Sequence, residues 1–278
     1  MLNPLLKWVG GKRQLLPLLT ERMPASYDRY YEPFFGGGAL CLALEPERIV
    51  INDFNSSLVR TYRAVRDDAD ALSSELMRMQ SEYNALPDME AKRLFYLACR
   101  DEYNRILRDP SGTHGAAREA VLLVFLNKSG FNGVYRVNGS GAYNVPFGRK
   151  TKLTLFDRDN LRGVSELLKG AEIREGDFEA AVSDASSGDF VFFDSPYHAT
   201  FDHYQKGGFS EEDHRRLADL FAELTDRGVK CMLTNSDTAF MHGLYDRYHI
   251  ETVPVRRAVN RDASGRVGTE IIVRNYLS

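Results

Sequence analysis

The sequence predicts an α/β fold: a mostly parallel sheet wound with helices, interrupted by a helical insert and closed by an antiparallel hairpin. Three observations predict it. Short runs of β-branched and aromatic residues end abruptly in glycine, proline or acidic residues and alternate with helix-like stretches. From Asn55 to roughly Leu126, apolar residues instead recur at three-to-four spacing. Two further β-rich runs close the chain.

Tyr30-Tyr31-Glu32-Pro33-Phe34-Phe35 reads as a strand that ends in Gly36-Gly37-Gly38 and opens onto a helix-like run. Glycines there let a backbone approach a ligand closely and leave helix amides pointing at it. No Gly-Lys-Ser/Thr follows, and the spacing is not the dinucleotide fingerprint, so a bound phosphate is not required. Ile49-Val50-Ile51 is a second strand and stops at Asn52-Asp53. An acidic residue at that place in a doubly wound fold accepts ribose hydroxyls, although it can also be a simple helix cap. The helical segment breaks at Leu86-Pro87-Asp88 and at Asp109-Pro110-Ser111-Gly112. Alternation resumes with Glu172-Ile173-Arg174, then Phe190 to Phe193, a helix from Glu211 to about Asp226 capped by Ser210, and a buried strand from Val229 to Thr234. Strands near His249 to Val255 and Thr269 to Tyr276 suit the closing hairpin.

The strand Phe190-Val191-Phe192-Phe193 runs into Asp194-Ser195-Pro196-Tyr197. Proline ends the strand, so Asp194 and Tyr197 are presented together at the carboxyl edge of the sheet, where open α/β sheets bind ligands. A carboxylate beside a main-chain carbonyl offers two acceptors for an exocyclic amino group, and the ring can stack on a planar base. The alternative is a strand-ending turn with a solvated carboxylate. Near the amino terminus, Lys7-Trp8-Val9-Gly10-Gly11-Lys12 holds the only tryptophan. It reads either as a surface turn or as a lid in which Trp8 packs on a flat or cationic ligand and Lys12 meets a carboxylate.

Composition limits the function classes. The chain of 278 residues is 43% hydrophobic, enough for a catalytic α/β domain with a sizeable insert. No apolar run approaches the roughly 20 residues of a spanning helix, and Met1-Leu2-Asn3-Pro4 lacks a signal-peptide layout. A cytoplasmic protein with no membrane partner, monomeric in solution, is expected. Cys41, Cys99 and Cys231 are odd in number and far apart, and the six histidines lack metal spacing, so neither disulfides nor a metal is expected. The net charge of −3 argues mildly against a nucleic-acid partner, but local distribution matters more. Residues 128–152 hold Lys128, Arg136, Arg149, Lys150 and Lys152 with no acid, interleaved with Phe131, Tyr135, Tyr143 and Phe147. Such a stretch can contact phosphates, wedge into base steps and reach base edges.

Taken in order, Lys-Trp-x-Gly-Gly-Lys at 7–12, Glu-Pro-Phe-x-Gly-Gly-Gly at 32–38, Asn-Asp-x-Asn at 52–55, Leu-Asn-x-x-Gly-Phe-Asn-Gly at 126–133, Asn-Val-Pro-Phe-Gly at 144–148 and Asp-x-Pro-Tyr at 194–197 resemble the Dam-type (D12 class, alpha group) DNA adenine methyltransferases over nearly the whole chain. The resemblance implies a Rossmann-like S-adenosylmethionine-dependent methyltransferase fold. It implies catalytic parts at 1–56 and 157–278 around a helical target-recognition domain at 57–156 that carries a basic aromatic hairpin loop. S-adenosylmethionine would be contacted by Trp8, Lys12, Asp53 and Asp194, with the loop of Phe35, Gly36 and Gly38 passing under it. Asp177, which also suits a plain turn, would read the cofactor's adenine edge. Asp194, Ser195, Pro196 and Tyr197 would form the catalytic turn, acting on adenine flipped out of double-stranded DNA. Arg136 would read a guanine, Phe131 would enter the stack, and Val134 and Pro146 would give apolar contacts. Lys7 would touch the target sequence, with Asn127, Asn132, Arg149 and Lys150 completing the DNA-binding set.

These roles imply a 5′-GATC-3′ preference. Two departures bear on it. Lys150 stands where such enzymes can carry tyrosine, which puts the flanking contacts in question. Ser195 replaces the usual proline, keeping the carbonyl but losing the ring that fixes φ, so a less rigid turn is expected. A catalytically silent DNA binder, or a methyltransferase acting on RNA or a protein amide, remains an alternative. A second basic segment, Arg256-Arg257 through Arg261 to Arg266, suits either a loop closing on the DNA backbone or an exposed hairpin tip.

Overall fold

The computed structural model describes residues 1–8, 10–12, 14–109, 115–199, 208–256 and 267–277. The expected break at 110–112 and the basic segment 257–266 lie outside them. In chain order the elements are α1 (Leu16–Glu21), β1 (Tyr30–Glu32), α2 (Ala39–Leu44), β2 (Ile49–Asp53), α3 (Ser56–Asp67), α4 (Ala69–Ala85), α5 (Met89–Arg108), α6 (Ala116–Ser129), α7 (Arg158–Lys169), β3 (Glu172–Glu175), α8 (Phe178–Ala181), β4 (Phe190–Phe193), α9 (Glu211–Asp226), β5 (Lys230–Ser236), α10 (Ala239–Leu244), β6 (His249–Arg256) and β7 (Val267–Arg274). The seven-stranded sheet runs β3-β2-β1-β4-β5-β7-β6. This is the mixed α/β architecture expected of a methyltransferase fold. The chain divides into two compact units: residues 1–11, 36–45 and 55–175, and residues 12–35, 46–54 and 176–278.

The second unit holds the part of the sheet that positions the chemistry. Parallel strands in the middle of an α/β sheet are covered on both faces, which is why β4 reads as an unbroken apolar run and why even Glu32 of β1 is buried. Tyr30, Tyr31, Phe190, Val191 and Phe193 are wholly buried. Tyr31 lies opposite Val50 of β2 and Val191 of β4, and Phe193 lies opposite Leu233 of β5, all in parallel register. From β1 the strand order proceeds outward to β2, and from β4 outward in the other direction to β5, so the order reverses between β1 and β4. Ligands of open α/β sheets bind at such a reversal, outside the carboxyl ends of the strands. Helix α9 covers this core with Leu217, Leu220, Phe221 and Leu224, spaced as one helical face. Ser210 and Asp213 form a reciprocal capping box at its start. The closing hairpin is antiparallel as expected, with β7 between β5 and β6. Strand β7 stops at Arg274, short of the expected Tyr276, because the Asn275 side chain turns to cap β5, accepting from Cys231 N and donating to Val229 O.

The first unit is mostly helical. Asn55, Asp68 and Asp88 cap α3, α4 and α5 by accepting from the third residue on. Residues Ala120 to Leu126 of α6 are all buried, so this helix is apolar around its circumference and runs through the middle of the unit. After α6 the chain folds back as an irregular hairpin held by antiparallel bridges, Gly130 to Phe147 and Val137 to Tyr143.

Candidate active site

In the second unit, Asp53, the Glu32-Pro33-Phe34-Phe35 segment and Asp194 all leave the same edge of the sheet, since β2, β1 and β4 run parallel in register. Asn52, 3% exposed, stitches this edge together by donating to the carbonyls of Pro33 and Gly176. Asp194 is half-buried, and its Oδ1 lies 2.5 Å from Lys12 Nζ. The same oxygen accepts from Thr234 Oγ1 at 2.8 Å. Lys12 is 5% exposed and its ammonium sits 4.6 Å from the centroid of the Tyr197 ring. The expected meeting of Lys12 with a carboxylate is therefore an internal ion pair with Asp194.

The turn after Asp194 is tied to β5 by one buried amide. Asn235 donates to Ser195 Oγ at 3.1 Å and to the Pro196 carbonyl at 3.4 Å, and accepts from His198 N at 2.9 Å. Ser195 thus gains a side-chain anchor that proline could not make, which opposes the loosening expected from its lost ring. Tyr197 OH donates to Glu270 Oε2 at 2.6 Å. Burial, with the Asp194 and Glu270 carboxylates adding to it, holds this phenol well above its usual range, so it stays a neutral donor.

Asp53 is half-buried at the end of β2, and the next residue, Phe54, is 60% exposed. An acid followed by an open ring can accept hydroxyls and stack on a flat base. Asp177 caps α8 through Glu179 N and takes both its oxygens to Arg216 Nη2 at 3.2 and 3.1 Å. Its carboxylate is already engaged by a cation. Phe35 is buried, with its N–H on the Asn52 carbonyl.

In the first unit, Gly36 and Gly38 adopt φ of +49° and +64°. A Cβ on Gly36 would come within 2.8 Å of Trp8 Cδ1, so the indole lies directly on the glycine backbone. On its other contact Trp8 stacks with Tyr135 at 5.3 Å. Trp8 is therefore packed between Gly36 and Tyr135 within this unit.

The hairpin corrects the expectation for residues 128–152. Tyr135 and Tyr143 are buried and Phe147 is half-buried against Tyr96, so these rings build the unit's core. Phe131 alone among the four is open, at 57% exposure. Asn132 beside it is exposed with φ +57°. Asn127 is 1% exposed: it accepts from Lys7 N and spends both amide hydrogens on the Lys7 and Gly133 carbonyls. It acts as a clamp that brings Lys7 beside the Phe131 turn, where the Lys7 stem lies so close to Gly133 that a Cβ would meet it at 2.6 Å. Arg136 is held by Asn144, with Nε on Oδ1 at 2.7 Å and Nη2 on the carbonyl at 3.1 Å. Pro146, Arg149 and Lys150 are exposed, Val134 is half-buried, and the Lys150 carbonyl is tied by Tyr83 OH. Sequence reasoning missed Phe54, Asn144, Thr234, Asn235 and Glu270. The polar pair Thr234-Asn235 ending a buried strand was the available signal for two of them.

Among the described residues no helix is long and apolar enough to cross a membrane, and no group of three or more His, Cys, Asp or Glu could hold a metal ion. Comparison with known proteins gives a match to the D12 class N6 adenine-specific DNA methyltransferases over residues 8–259. The chain is 40% identical to the type II methyltransferase M1.LlaDCHI of Lactococcus lactis subsp. cremoris over 285 residues, covering 99% of this chain and 96% of that relative. It is 36% identical to the type II methyltransferase M.MjaIII of Methanocaldococcus jannaschii, covering 99% of each. It is 29% identical to the DNA adenine methylase of Escherichia coli K12, covering 98% of this chain and 94% of that protein.

Proposed function

The chain belongs to the D12 class of N6 adenine-specific DNA methyltransferases, and on that premise we propose that it methylates the exocyclic amino nitrogen of an adenine flipped out of duplex DNA, within 5′-GATC-3′ or a related short site. The family acts on DNA with a methyl donor, which we take to be S-adenosylmethionine. The reading assigns catalysis to residues 1–56 and 157–278 and target recognition to 57–156, in a cytoplasmic monomer.

The residues assigned to that donor have the chemistry to bind it. Asp53 offers a carboxylate for ribose hydroxyls, Phe54 offers an exposed ring for a purine, and Gly36 and Gly38 give a backbone without side chains after β1. Phe35, Trp8, Lys12 and Asp177 belong to the same assignment, although Trp8 and Asp177 already have partners within the protein. When bound, S-adenosylmethionine supplies a methyl group activated on a positive sulfonium.

The amino nitrogen of adenine is a poor nucleophile, because its lone pair is delocalised into the ring. Asp194 and the Ser195 carbonyl would accept its two hydrogens, favouring a pyramidal nitrogen. Lys12 and Thr234 hold Asp194 in place until then, and Lys12 must yield part of that carboxylate to the base. Extruding the base costs a few kcal/mol, and stacking on Tyr197 offsets part of it. Alignment of two bound partners can be worth roughly 7–11 kcal/mol. Recognition falls to Arg136 at a guanine, Phe131 in the stack, Asn132, Val134 and Pro146 along the groove, and Lys7, Arg149 and Lys150 near the site. Asn127 serves them by clamping Lys7.

The observation that carries this reading is the shared edge: Asp194 leaves β4 beside the strand that leads into the glycine run, in parallel register. Incubation with methyl-labelled S-adenosylmethionine and, in parallel, duplex DNA, RNA or protein tests it. Label on duplex DNA alone is expected, and label on RNA or protein alone would overturn it.

A further inference from the structure

We propose that Glu270 is a positioning residue for Tyr197, fixing the far end of the ring on which the extruded base stacks. The inference rests on the base-extrusion reading above. Glu270 lies within β7, opposite Ser236 of β5 and Val253 of β6, and is followed by the fully buried Ile271, Ile272 and Val273. A carboxylate at the margin of such a core is costly unless it is bonded. Its partner is the Tyr197 hydroxyl, which donates to Oε2 at 2.6 Å, the short distance of a charge-assisted bond.

The backbone on either side of Tyr197 is fixed separately, since Asn235 binds the Pro196 carbonyl and the His198 N–H. Those bonds set where the side chain begins. Lys12 rests on its ring face. The hydroxyl bond to Glu270 sets the depth and tilt of the ring, and so gives a tyrosine here a task that stacking alone, which phenylalanine would serve equally, does not.

The test uses the full chain with Glu270→Ala, Glu270→Gln, Tyr197→Phe and the Tyr197→Phe/Glu270→Ala pair. The probe is a duplex carrying 2-aminopurine at the adenine of a GATC site, read by its fluorescence, alongside single-turnover transfer to the adenine duplex. Glu270→Ala is expected to slow transfer about tenfold and to brighten the probe above its native emission, because a loosely held ring quenches it less. Glu270→Gln, whose amide oxygen still accepts, restores both toward native. Tyr197→Phe reproduces Glu270→Ala, and adding Glu270→Ala to it changes nothing further, as coupled partners require. Additive losses in the pair, or native rate and emission in Glu270→Ala, overturn the assignment. Circular dichroism confirms that the variants fold, and if Glu270→Ala does not fold, Tyr197→Phe decides the matter, since it removes the same bond and native rate and emission there would overturn the assignment. A native protein that brightens the probe without transferring a methyl group refutes the activity while the emission still tests Glu270. If it does neither, both ideas fall.

Discussion

Lys12 Nζ stands 2.5 Å from Asp194 Oδ1, with its ammonium also over the Tyr197 ring, so the carboxylate assigned to the reaction is already held by a cation. The pair joins a segment that begins eleven residues into the chain to the tip of β4. Asp194 is only 18% exposed, and removing the cation leaves that charge leaning on the Thr234 hydroxyl. Lys12→Ala is therefore expected to destabilise the fold by about 1–3 kcal/mol. Adding Asp194→Asn should recover part of the loss, because the uncompensated charge is gone. Denaturant melts of the single and double variants check this, and an unchanged or larger loss in the double variant would contradict it.

Asp194→Ala should abolish methyl transfer while leaving affinity for duplex DNA within a few-fold, since no phosphate contact is assigned to the second unit's catalytic turn. Electrophoretic or anisotropy binding measured beside transfer separates the two. A parallel loss of both would contradict the division of labour.

Arg136 is expected to set site choice. Arg136→Ala should cost about 1–3 kcal/mol of discrimination at one base position, seen as methylation spreading to single-mismatch sites. Asn144→Ala should relax choice at the same position to a smaller extent, because it removes the side-chain bond to the guanidinium and leaves the one to the main-chain carbonyl. Equal weakening on every sequence would instead mark Arg136 as a phosphate contact.

His214 predicts acid sensitivity. It is 1% exposed between the rings of Phe209, His198 and Phe240, and neither ring nitrogen has a hydrogen-bond partner among the described residues. Burial, helped by His198, pushes its pKa from 6.5 down to about 4. Between those values the unfolded chain binds the proton and the folded one does not, so stability should fall as pH drops from about 6.5 toward about 4. His214→Leu should flatten that slope in stability measured against pH, and an unchanged slope would contradict the assignment.

The strands at the sheet edge were legible in the sequence because each carries its own punctuation. Val191 to Phe193 run into Asp194 and Pro196, and Tyr31 runs into Pro33 and the glycines. The helix from Glu211 was legible down to its Ser210 cap. What was not legible is pairing across the chain. Nothing local to Glu270 says that it meets Tyr197 seventy-three residues earlier, and Asn235 looks like an ordinary strand end until β5 lies beside β4. The aromatic hairpin misled in the opposite sense: Tyr135, Tyr143 and Phe147 have the composition of a nucleic-acid loop, but burying them closes the unit's core, and composition cannot tell which rings face inward. The stacking of Trp8 on Tyr135 was likewise not legible from either segment alone.

The most direct measurement is to methylate mixed-sequence duplex DNA with the native protein and map every modified base. The account predicts N6-methyladenine confined to one short site, GATC or a close relative. Modified cytosine, adenines marked without regard to sequence, or unmodified DNA would contradict it.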